Sequence, residues 1–84
     1  MELRFTTEAW DDYLWFQKND RAGMKRINLL IRDIQRSPFE GLGKPEPLRH
    51  QLSGFWSRRV TDAHRLVYTV EDDALLIAQC RYHY

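Results

Sequence analysis

Residues 44–84 read KPEPLRHQLSGFWSRRVTDAHRLVYTVEDDALLIAQCRYHY, and the spacing of the turns in this stretch decides the fold. Phe55–Val60, His64–Val70 and Ala74–Tyr82 are strand-like runs separated only by Thr61-Asp62-Ala63 and Glu71-Asp72-Asp73. Connections so short leave no room for a crossover, so consecutive strands are expected as antiparallel neighbours. Leu48–Leu52 is expected as one more strand, followed by a bend at Ser53-Gly54.

Ahead of this sheet, Glu2 to Thr6 alternate polar and apolar, which suits a short first strand. Thr6 or Thr7 is an N-cap candidate for a helix running to about Lys18, with Glu8, Asp11 and Asp12 near the positive end of its dipole. Asp20 caps a second helix, in which Met24, Ile27, Leu30, Ile31 and Ile34 recur on one face. Pro38 disfavours helical geometry at Ser37 and ends it. The expected fold is therefore α+β: one domain over residues 1–84, with two N-terminal helices packed on an antiparallel sheet of four or five strands.

Side-chain parity turns this arrangement into a site. His64, Leu66, Tyr68 and Val70 share the better core face, and Arg65, Val67 and Thr69 the other. A connection centred on Asp62 sets Arg59 opposite Arg65, and a turn centred on Asp73 sets Arg65 opposite Arg81. Arg59, Arg65, Arg81 and His83 then line one side, whereas Leu76, Ala78, Cys80 and Tyr82 form the opposite face of the last strand, the side of His64 and Leu66. Arginines side by side repel unless an anion joins them, and their planar forks suit phosphate. Surface pairing with turn acids such as Asp62 and Asp72 is the plainer reading of the same charges. Glu46, stiffened between Pro45 and Pro47, supplies a candidate base, and His83 a candidate acid.

The whole-chain charge of +1 does not announce a polyanion partner. Its distribution does more: residues 1–43 carry seven basic and seven acidic side chains, whereas residues 44–65 carry five basic and two acidic ones. Such a local patch can steer a polyanion. The single cysteine, Cys80, excludes an intrachain disulfide and fits a reducing compartment. No apolar run of membrane-spanning length and no leader pattern occurs, so the cytoplasm is the expected location and no membrane the expected partner. His50, His64, His83, Cys80 and Glu46 show none of the common zinc spacings, and the glycine loop GLGKPEP lacks the form of a phosphate-cradling P-loop, so neither metal nor cofactor is expected.

WDDYL, the PFEG-x-GKPEPL loop, LSGFWSRR, HRLVY and the terminal CRYHY, in this order along the whole chain, resemble the YoeB toxins of the RelE superfamily of bacterial toxin-antitoxin systems. The resemblance implies a microbial-ribonuclease-like fold and a ribosome-dependent endoribonuclease that cuts mRNA in the decoding site of the 70S ribosome. It also implies neutralisation by a YefM-type antitoxin, and homodimers. By motif position it places the general base on Glu46, the general acid on His83, and phosphate contacts on Arg49, Arg59 and Arg65, with Tyr84 also in the site. Arg49 departs from the lysine expected there, which keeps the charge but replaces a compact ammonium by a fork. The rival readings are a toxin of the same fold acting on a protein such as gyrase, and a non-catalytic RNA-binding domain.

Overall fold

A computed structural model describes residues 1–82. The chain begins with strand β1 (Glu2–Phe5), which leads into helix α1 (Thr7–Asn19) and helix α2 (Arg21–Arg36). Strand β2 (Glu46–Pro47) and a 3₁₀ turn (His50–Leu52) follow, then β3 (Trp56–Arg59), β4 (Arg65–Glu71) and β5 (Ala74–Gln79). The sheet order is β1-β5-β4-β3-β2. Four strands form an antiparallel meander, as expected; β1 pairs with β5 in parallel, so the five-stranded sheet is mixed. The α1–α2 segment carries the chain from β1 to β2 at the opposite edge of the sheet, and the meander then returns to set β5 beside β1.

Both helices start on the caps read from the sequence. Thr6 Oγ1 accepts from the Ala9 N–H at 3.0 Å, and Asp20 Oδ1 accepts from the Gly23 N–H at 2.9 Å. Asp20 alone separates the two helices, and the close approach needs Gly23: a Cβ there would lie 2.6 Å from Cδ1 of Phe16. Phe16, Ile27, Leu30 and Ile34 of the helices meet Leu66, Tyr68, Leu75 and Ile77 of the sheet in a fully buried core.

Three sequence expectations are corrected. Leu48–Leu52 is not a strand: pairing is limited to Glu46–Pro47, after which Arg49 caps the 3₁₀ turn and His50 takes φ +59°. Pro45 and Pro47 bring no N–H to a ladder, which keeps β2 short. The acidic turn is not centred on Asp73. Glu71 pairs with Ala74, Val70 with Leu75 and Tyr68 with Ile77, so Asp72-Asp73 is a two-residue turn with Asp72 at φ +54°. Leu75 and Ile77, rather than Leu76 and Ala78, therefore face the core.

A bulge then shifts the register. Val67 pairs with Gln79, leaving Ala78 as the extra residue, and its carbonyl accepts a 2.8 Å hydrogen bond from the Thr6 hydroxyl. The cap of α1 thus stabilises the irregularity of β5. The pair Val67–Gln79 beyond the bulge has the offset expected from the sequence, and Cys80, the next residue, lies in the buried core together with Leu66. The last strand nevertheless ends at Gln79, three residues short of the expected Tyr82.

Candidate active site

The face of the sheet turned away from the helices is fixed by register. Glu46 pairs with Ser57, Ser57 with Val67, and Arg59 with Arg65. Direct cross-strand partners share a face, as do residues two apart in one strand. Glu46, Ser57, Arg59 and Arg65 therefore stand on one side, with Glu46 and Arg59 offset by two residues, about 7 Å along the strands. Glu46 and Arg59 are exposed and Arg65 is half-buried. Arg65 is aimed by its own neighbourhood: Nη1 donates to the carbonyls of Thr61 at 3.0 Å and His64 at 3.2 Å.

Residues 48–55 close one end of this face. The Leu48 N–H donates to the Phe55 carbonyl at 2.9 Å, and the Thr69 hydroxyl to the Gly54 carbonyl at 2.9 Å. A cleft results, lined by Glu46, Pro47, Leu48, Arg49, His50 and Leu52. The carboxylate, a guanidinium and an imidazole thus border one hollow next to the Arg59–Arg65 pair. Among the described residues no carboxylate forms a salt bridge with Arg49, Arg59 or Arg65; the ion pairs present involve Arg4, Arg36 and Arg58.

Arg81 does not join them. Its guanidinium lies 3.8 Å from the ring centroid of Trp15 in α1 and 4.6 Å from that of Tyr82, and Nη2 donates to the Tyr82 hydroxyl at 2.8 Å. The strand has ended two residues earlier, so alternation no longer governs position 81, and stacking on the indole wins. His83 and Tyr84, assigned to the site from the sequence, lie outside the described residues. Among the described residues no three His, Cys, Asp or Glu side chains come close enough to hold a metal ion. Burial pushes the Cys80 thiol up to about 12, with the Asp12 carboxylate adding to it.

One residue that supports the site escaped sequence reasoning. Arg58 alternates with Arg59 and so points into the helix side, where it is fully buried. Nη1 donates to Asp33 Oδ2 and the Leu42 carbonyl, Nη2 to the carbonyls of Ser37 and Glu40, and Nε to the Tyr68 hydroxyl. These five bonds use all five guanidinium donors. Tyr68 in turn donates to the Pro38 carbonyl at 2.6 Å. The loop that delivers Glu46 is thereby bolted to β3 and β4. Asp33 is held below the usual carboxylate range, first by the Leu42 N–H and then by Arg58. The signal available in the sequence was parity itself: adjacent arginines in one strand cannot both face solvent when one side of the sheet is covered.

Comparison with known proteins agrees with this architecture. Residues 5–84 match the family described as YoeB-like toxin of bacterial type II toxin-antitoxin system. The chain is 64% identical to Toxin YoeB of Escherichia coli strain K12 over 84 residues, covering 100% of each. It is 57% identical to Toxin YoeB of Streptomyces coelicolor over 84 residues, again covering 100% of each. Among solved structures, a YoeB/ParE toxin from Agrobacterium tumefaciens superposes with TM-score 0.98 at 49% identity, covering 100% of both chains. The toxin chain of a YoeB-YefM complex from Staphylococcus aureus superposes with TM-score 0.92 at 46% identity, over 100% of this chain and 98% of that one. With the two-helix, five-stranded fold and a full-length match, the chain belongs to the YoeB-like toxins of bacterial type II toxin-antitoxin systems.

Proposed function

We propose that this toxin is a ribosome-dependent endoribonuclease that cuts mRNA in the ribosomal A site and so arrests translation. The observation that carries the proposal is the helix-free face, where Glu46 shares a side with the Arg59–Arg65 couple, which no carboxylate among the described residues bridges, with Arg49 lining the cleft at Glu46. Glu46 is offset from Arg59 by two residues along the strands, about 7 Å of backbone, so a carboxylate and two guanidinium groups are anchored on one face within the span of a ribose-phosphate link.

RNA cleavage without a metal needs a base for the 2′-hydroxyl proton, cations for the charge that develops on phosphorus-bound oxygens, and an acid for the departing 5′-oxygen. Glu46 takes the proton, Arg49, Arg59 and Arg65 hold the phosphate, and Arg65 stabilises the transition state. By motif position His83 protonates the leaving oxygen, and Tyr84 belongs to the same RNA-binding set. The products are a 2′,3′-cyclic phosphate, or the 3′-phosphate derived from it, and a 5′-hydroxyl. Arg81, stacked on Trp15, is left out of the phosphate-binding set.

The solved relatives include a YoeB-YefM complex and a YoeB dimer from Staphylococcus aureus. By that likeness the partners here are a YefM-type antitoxin and a second copy; the proposed activity itself calls for the 70S ribosome and mRNA, in the cytoplasm. No helix among the described residues is long and apolar enough to cross a membrane. Toeprinting of a translated mRNA with the purified toxin tests the proposal: a new stop confined to the decoding site is expected. Intact mRNA together with collapse of DNA supercoiling in arrested cells would favour a gyrase-type toxin instead.

A further inference from the structure

The residue that precedes His83 is held at both of its backbone polar groups. The Tyr82 N–H donates to Nδ1 of His64 at 2.7 Å, and the Tyr82 carbonyl accepts from the Arg65 N–H at 3.1 Å. Tyr82 adopts φ +63°, an uncommon conformation for a bulky residue that needs outside support. That support is a layered cluster. The His64 ring lies 5.2 Å from Phe16, 6.0 Å from Trp15 and 5.4 Å from Tyr82, centroid to centroid, and Arg81 is sandwiched between Trp15 and Tyr82. Upstream, the Cys80 N–H is fixed by Asp12 Oδ2 at 3.1 Å. β5 has ended at Gln79, so the course of residues 80–82 is set by α1, by the His64 imidazole and by the single backbone bond from Arg65 at the start of β4.

We infer that His64 is a positioning residue for the reaction: its unprotonated Nδ1 fixes the backbone of Tyr82, the residue to which the proposed acid His83 is directly bonded. The inference rests on the nuclease reading of this site. An acceptor at the Nδ1 position is the chemical requirement, because only a ring nitrogen without a proton can take the Tyr82 N–H. The carbonyl oxygen of an asparagine sits close to that position, whereas that of a glutamine lies one bond further out.

The test compares His64→Asn with His64→Gln in single-turnover cleavage on programmed ribosomes, alongside amide exchange at Tyr82 in the protein alone. The expected result is that His64→Gln lowers the maximal rate by about 10²-fold, the scale of a misplacement of about 1 Å. The half-saturating ribosome concentration stays unchanged, since binding is not the step affected. His64→Asn recovers most of the rate and keeps the Tyr82 amide protected, while His64→Gln loses that protection. Equal rates for the two variants, a loss expressed in half-saturation instead of rate, or identical Tyr82 exchange in both would overturn the assignment to His64. Absence of cutting by the unaltered toxin would instead overturn the nuclease reading, and the exchange comparison distinguishes the two failures.

Discussion

Arg59 and Arg65 are direct cross-strand partners on the helix-free face of the sheet, and no carboxylate among the described residues bridges them. Like charges directly opposite each other destabilise a strand pair by roughly 0.2–1 kcal/mol. The fold therefore carries a small cost at the place where a phosphate is proposed to sit. Replacing Arg59, the exposed member, with glutamine should leave the midpoint of thermal unfolding equal to or slightly above that of the unaltered toxin while cutting falls by tenfold or more, on the order expected for loss of one charge-stabilising donor. Calorimetry and single-turnover cleavage on the same preparation check both halves. A fall in both would mark Arg59 as structural.

The buried Arg58–Asp33 pair makes the opposite demand. Removing one partner of a buried, fully bonded pair costs about 3–5 kcal/mol, so Arg58→Met should strongly destabilise the fold and free residues 37–42. Asp33 adds a pH signature. Its folded pKa is depressed, so it contributes stability above its unfolded value of about 4, and this contribution is lost as pH falls through the folded value. Urea unfolding followed from pH 5 downward should show a decline in midpoint that is shallower in Asp33→Asn. Equal slopes would remove Asp33 from the account.

Cys80 should be chemically silent in the native toxin. Burial and the nearby Asp12 push its thiol up to about 12, so at neutral pH it is protonated as well as inaccessible. Titration with a thiol reagent should give no reaction in buffer and one equivalent in denaturant. Fast native reaction would show that the segment after β5 opens.

The extent to which these features were legible in the sequence depends on which of them are local. Caps are local, and Thr6 and Asp20 begin the helices as expected. The Arg59–Arg65 pairing was also legible, because a short connection fixes its register. The acidic turn was not: Asp72 and Asp73 accept either a two- or a three-residue turn, and the choice depends on Thr6, a residue 72 positions from the Ala78 carbonyl it holds. That same bulge recovers the expected offset by Gln79, so Cys80 was placed correctly through a turn that was not. Arg58 escaped because its partners are carbonyls of an irregular loop, which no periodicity announces.

In the proposed reaction Glu46 is the base, and it separates experimentally from the proposed leaving-group acid, His83. Single-turnover cleavage on programmed ribosomes, with mRNA carrying either a normal link or a bridging 5′-sulfur at the cut site, measures base and acid independently. Glu46→Gln and His83→Gln should each slow the normal substrate by about 10²-fold or more. Sulfur leaves without help from an acid, so it should restore His83→Gln and leave Glu46→Gln slow. Equal rescue of both variants, or no slowing of either, would contradict the assignment of Glu46 as base and His83 as acid.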